Sequence, residues 1–116
     1  MKLALAMLLL AAPAFVCAFD TEPVSLKTTD DGATISYLVV NKTSQNIVGF
    51  EVSTRYLNGG FENLGCSLSV TVKSPSDLNI PGGCSLPKDQ TTGKPVRYKS
   101  RVTEVRFADG QKWTAP

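Results

Sequence analysis

The run Ile47-Val48-Gly49-Phe50-Glu51-Val52-Ser53-Thr54-Arg55-Tyr56-Leu57 decides the fold class of this chain. Val48, Phe50, Val52, Thr54 and Tyr56 alternate with Gly49, Glu51, Ser53 and Arg55, a period of two that a pleated strand displays as two opposite faces. Asn58-Gly59-Gly60 follows as hairpin chemistry leading into Phe61. Upstream, Thr34 to Val40 sets Ile35, Tyr37 and Val39 on one face, and Val24-Ser25-Leu26-Lys27 alternates in the same way. Between them Thr29-Asp30-Asp31-Gly32 reads as a turn, and the polar stretch Asn41 to Asn46 separates the second strand from the third. Downstream, Leu68, Val70 and Val72 alternate with Ser67, Ser69 and Thr71. Two last strands are expected over Val96–Phe107 and Gln111–Thr114. No helical stripe with cap signals competes with this pattern, so the domain is expected to be all-β.

The C-terminal hairpin has a readable register. A two-residue Asp109-Gly110 loop would oppose Phe107 to Lys112, whereas a three-residue loop Ala108-Asp109-Gly110 opposes Phe107 to Gln111 and Val105 to Trp113. The longer loop puts Val105, Phe107 and Trp113 on one face, at the cost of setting Arg106 against Lys112 on the solvated side. Burial of the indole outweighs that repulsion of tenths of a kcal/mol, so the three-residue register is expected, with Phe50, Val105, Phe107 and Trp113 as core residues. Some seven short antiparallel strands predict a β-sandwich, with a small closed barrel as the alternative.

Composition sets limits on chemistry. The 116 residues contain no histidine, which excludes serine–histidine and cysteine–histidine nucleophile pairs and histidine-containing zinc sites within the chain. No flanking motif singles out a serine–lysine pair, so the expected catalytic and metal sites are none, no cofactor is expected, and the chain is expected not to be an enzyme. Met1-Lys2, the apolar run Leu3 to Ala12, Pro13 and the small residues up to Ala18 have the pattern of a secretory signal peptide over residues 1–18, leaving a domain over 19–116. Cleavage after Ala18 is expected, with Ala14 as the alternative, and the apolar run is too short to span a bilayer. A secreted or periplasmic location follows. Loss of Lys2 leaves eleven basic and ten acidic residues, a balance that argues against nucleic acid as a partner.

In an oxidising compartment the two remaining cysteines, Cys66 and Cys84, are most simply one disulfide. Their spacing is far wider than that of a C-x-x-C redox pair, and closing such a loop stabilises by about 3 kcal/mol in the chain-entropy model. Ser74-Pro75-Ser76-Asp77, Pro81-Gly82-Gly83 and Thr91-Thr92-Gly93-Lys94-Pro95 read as breakers, so residues 73–95 are expected to form a long structureless loop.

In Val40-Asn41, in Ile47 through Tyr56-Leu57-Asn58-Gly59, and in Val105-Arg106-Phe107-Ala108-Asp109-Gly110-Gln111-Lys112-Trp113, the chain resembles small immunoglobulin-like domains of secreted bacterial proteins, including the FxLYD type, although the Phe-x-Leu-Tyr-Asp signature itself is absent. The resemblance implies an immunoglobulin-like sandwich with a binding or structural role and no catalysis.

The densest basic stretch is Lys94 to Arg106. On a strand, Arg97, Lys99 and Arg101 project to one side, opposite Val96, Tyr98, Ser100 and Val102. Val105 and Phe107 share the parity of the bases, so a bulge is expected near Thr103-Glu104. The row suits an anion-binding stripe; it also suits a solvated face whose charges deter edge pairing. Expected partners are therefore an unidentified protein or an anionic envelope polymer, contacted through this strand or through residues 73–95, with a structural domain lacking any ligand as the alternative. Asp30-Asp31-Gly32 offers too few oxygens for calcium, and Asn41-Lys42-Thr43 matches a glycosylation acceptor relevant only in a eukaryotic secretory route.

Overall fold

A computed structural model describes residues 21–58 and 61–116 of the chain. The expected signal segment 1–18, with cleavage expected after Ala18 or Ala14, and Gly59-Gly60 of the expected hairpin lie outside the described residues. Seven strands follow one another: β1 (Val24–Asp30), β2 (Thr34–Asn41), β3 (Ile47–Asn58), β4 (Phe61–Thr71), β5 (Asn79–Ser85), β6 (Arg97–Phe107) and β7 (Lys112–Thr114). They form two antiparallel sheets, one ordered β1-β2-β5 and the other β4-β3-β6-β7. The chain changes sheet between β2 and β3, between β4 and β5, and again between β5 and β6, so each sheet interleaves strands distant in sequence. This is an immunoglobulin-like β-sandwich.

The alternation of β3 is the axis of the core. Phe50 and Val52 point inward and are fully buried against Val102, Val105 and Phe107 of β6 and against Ile35, Tyr37 and Val39 of the facing sheet. Burial of each such side chain contributes about 1.5–3 kcal/mol. Phe50, Val105 and Phe107 are core residues, as their parity requires. Trp113 is not: it is half-buried and packs against the core from β7. That strand has three residues and lies at the sheet edge, so among the described residues no strand lies beyond it to cover one side of the indole. The hairpin register is nevertheless the three-residue one. Val105 pairs with Trp113 and Arg106 with Lys112, the Phe107 N–H donates to the Gln111 carbonyl at 2.9 Å, and Gly110 takes the positive φ (93°) that closes the turn.

Three hydroxyls form a polar seam through the core. The Tyr37 hydroxyl of β2 lies 2.5 Å from Thr54 Oγ1 of β3, which in turn lies 2.7 Å from Ser100 Oγ of β6. Tyr37 and Thr54 are completely buried, so each oxygen is desolvated only because the next one satisfies it. The other two tyrosines also bond across the sandwich. Tyr56 donates to the Ser85 carbonyl, and Tyr98 donates to Asp30 Oδ2 at 2.9 Å. One end of the sandwich is thus laced by phenols, and the opposite end is closed by Phe50, Val105 and Phe107.

Cys66 and Cys84 form a disulfide with a Cα–Cα distance of 6.2 Å. It joins β4, an edge of one sheet, to β5, an edge of the other, closing one flank of the sandwich. Residues 73–95 are not the structureless loop that their Pro and Gly content suggests. Pro75–Leu78 is a 3-10 turn, in which Asp77 Oδ2 accepts from the Lys73 and Ser74 amides, and Asn79–Ser85 is a strand. Pro81 is tolerated because β5 is an edge strand, where a missing N–H costs no ladder bond. Gly82 has positive φ (60°) at the register shift against β2, and a Cβ on Gly83 would lie 2.9 Å from Ile80 and 3.1 Å from Tyr37. These glycines therefore permit a bulge and a close approach within a strand. The segment from Pro87 to Val96 is itself tied back by a Lys88–Pro95 bridge and by Asp89 Oδ1, which accepts from the Thr91 and Thr92 amides.

Candidate functional site

Strand β6 runs between β3 and the short β7, and its inward residues Tyr98, Ser100 and Val102 anchor it to the core. The intervening Arg97, Lys99 and Arg101 are consequently forced to the outer face, where all three are exposed. Side chains two residues apart on a strand repeat at about 6.8 Å, so the row is a regular ladder of cations. Cross-strand register brings a fourth cation to it: Arg55 of β3 pairs with Lys99, and Ser53 pairs with Arg101. Between these strands runs an open groove of about 470 Å³, lined by Ser53, Arg55, Lys99, Ser100, Arg101 and Thr103. Arg55 was absent from the sequence-based stripe, although its parity with Glu51 and Ser53 already placed it on the outer face.

The groove stops at a bulge. Val102 pairs with Val52 and Glu104 with Glu51, which leaves Thr103 as the extra residue on β6. Its hydroxyl donates to the Glu51 carbonyl at 3.3 Å. The bulge reverses the parity, so Val105 and Phe107 turn inward where Arg97, Lys99 and Arg101 turned outward.

Beyond the bulge the cation is paired. Glu51 and Glu104 face each other in register, a like-charge pair that would be unfavourable alone. The Arg106 guanidinium bridges them, bonding to Glu104 and lying 3.6 Å from Glu51. It turns toward these acids and away from Lys112, its register partner. Among the described residues, Arg97, Lys99 and Arg101 have no such Asp or Glu partner; Arg101 donates one long 3.4 Å bond to an oxygen of Pro116.

Two acids of the β1–β2 connection are already engaged. Asp30 accepts from Tyr98, and Asp31 Oδ1 accepts from the Ala33 and Thr34 amides, which hold its carboxyl below the usual range. Burial pushes the Tyr98 phenol above its ordinary value, aided by its bond to Asp30, and burial followed by the proximity of Tyr37 does the same for Tyr56. Both phenols are therefore protonated hydrogen-bond donors at neutral pH.

Two other motifs turn out to shape turns. Asp30-Asp31-Gly32 forms the β1–β2 connection, and among the described residues no group of three or more acids or cysteines is placed to hold a metal ion. The Asn41 side chain accepts from Thr43 at 2.9 Å and donates to the Gln45 carbonyl at 2.7 Å, organising the β2–β3 turn. What the outer face of β3 and β6 can do chemically is recognise negative charge: guanidinium forks match planar carboxylates and other oxyanions. No family model, curated protein or solved structure matches the chain, so the site rests on its own geometry.

Proposed function

We propose that this domain is an exported, non-catalytic binding module that holds an anionic partner along the outer face of β3 and β6. The observation that carries the proposal is the row Arg97, Lys99 and Arg101, which has no Asp or Glu partner among the described residues and lies over a groove whose described lining includes no acidic side chain. The contrast with Arg106 on the same face supports it, since that cation is paired with Glu51 and Glu104. Export is supported by the Cys66–Cys84 disulfide, a bond that persists in oxidising compartments, and by the signal-like residues 1–18. Among the described residues no helix is long and apolar enough to cross a membrane. The immunoglobulin-like domains that the chain resembles in its turn and core residues are non-catalytic, in keeping with a binding role.

Retention on a sulfonate resin tests the proposal. The triple variant Arg97→Ala/Lys99→Ala/Arg101→Ala should elute at clearly lower salt than a control, Lys27→Ala/Lys42→Ala/Lys112→Ala, that loses the same net charge from exposed sites elsewhere. Equal elution of the two variants would reduce the row to generic surface charge and remove the proposal.

A further inference from the structure

The outer edge of β6 is only partly covered. The strand has eleven residues, but β7 pairs with it from Glu104 to Arg106 alone, and the Ala115 N–H adds one bond to the Thr103 carbonyl at 2.9 Å. From Arg97 to Val102, no strand lies beside β6 among the described residues. A strand edge of that kind presents unpaired N–H and C=O groups, a template for strand addition. The bulge at Thr103 marks where cover begins, so the open part is a single extended run of six residues.

Its outward side chains select what can pair there. Arg97, Lys99 and Arg101 are the three outer-face residues of the run, and all are cations without an Asp or Glu partner among the described residues. Addition of a second copy through the same edge would set this row against itself, and directly opposed like charges are unfavourable. A strand with acidic residues at alternate positions would instead meet a cation at each outward register position. Repulsion of self and attraction of an acidic strand are then two effects of one row.

We propose that an extended acidic segment of a partner protein adds to β6 at Arg97–Val102, continuing the second sheet with its acidic side chains beside the cation ladder. The proposal rests on the anionic-partner function above and names the partner's class. Backbone bonds supply the docking, and charge sets register and selectivity. Residues between the acids lie on the inner side, next to the edge strand β1, where Tyr98 and Asp30 meet, so small β-branched residues suit those positions.

The test uses the oxidised domain and a blocked synthetic octapeptide of alternating Glu and Thr, compared with two versions N-methylated on either alternate set of backbone amides. A Lys-for-Glu version and dextran sulfate complete the set. The expected result is that one methylated version binds at least tenfold more weakly than the parent. The parent should also slow amide hydrogen exchange within 97–102, and the Lys version should not bind. If both methylated peptides bind like the parent, or exchange at 97–102 is unchanged while dextran sulfate binds, strand addition is overturned and the anionic-partner function stands. If neither peptide nor dextran sulfate binds, and the two triple variants elute together from the resin, both fail.

Discussion

One strand, β6, has two halves with opposite characters. From Glu104 to Phe107 it is paired on both sides, its Arg106 is ion-paired with Glu104 and with Glu51 of β3, and Val105 and Phe107 close the core. From Arg97 to Val102 it is paired, among the described residues, only with β3, its outer row is cationic, and its inner row ends in hydroxyls. A single extra residue, Thr103, separates them. A half whose charges are satisfied and whose edge is covered does structural work. The other half has neither an acidic partner nor a second strand among the described residues, and it is the half to which the proposed function assigns a partner.

The largest expected effect breaks the structural half. Phe107→Ala should cost about 3–5 kcal/mol of unfolding free energy, measured by urea denaturation, because the side chain is 2% exposed and its loss leaves a cavity. Trp113→Ala, on the half-buried edge, should cost distinctly less; a cost equal to that of Phe107→Ala would mean that the edge is as tightly packed as the core. Removal of the disulfide by Cys66→Ala/Cys84→Ala should cost about 3 kcal/mol with resin retention unchanged, since the bridge closes the flank formed by β4 and β5.

Smaller effects sharpen the same contrast. Beneath the cationic half, Tyr56 and Tyr98 have raised pKa values, so in the unfolded chain these phenols ionise at lower pH than in the folded one. Their contribution is complete below the ordinary tyrosine value of 10.0 and is lost as pH rises through the folded values. Thermal melts should accordingly fall above about pH 10, and the fall should be shallower in Tyr98→Phe. Glu104→Gln should have the smallest effect, a few tenths of a kcal/mol in stability, together with firmer resin retention, because Arg106 then adds to the cation ladder.

Much of this was legible in sequence because strand parity is a strict code. The two faces of β3 from Phe50 to Tyr56, the inward Val105 and Phe107, the bulge near Thr103 and the Ala108-Asp109-Gly110 loop all follow from counting by twos with one apolar face; Val48, counted on the inner face, is instead exposed, because a register shift between Ile47 and Gly49 buries Ile47 in its place. The Cys66–Cys84 pairing followed from having two cysteines left to pair. Strand β5 was illegible since Pro81, Gly82 and Gly83 look like breakers, and only the edge position and the close approach to Tyr37 make them compatible with a strand. Arg55 was missed as a member of the site because its alignment with Lys99 depends on long-range register, which no local pattern encodes. The Tyr37–Thr54–Ser100 seam was hidden for the same reason, as it joins three strands far apart in the chain. Trp113 was misjudged because parity gives the face of a residue and says nothing of whether a neighbour covers it.

The central claim is that the row before Thr103 binds anions and the charges after it do not. Its most direct test is the slope of log affinity for dextran sulfate against log sodium chloride concentration. Each cation that engages the polymer releases counterions, so Arg97→Ala/Lys99→Ala/Arg101→Ala should flatten the slope by about 2–3. Lys27→Ala/Lys42→Ala/Lys112→Ala should leave the slope close to that of the unaltered domain. Slopes that flatten equally in the two variants would contradict the claim.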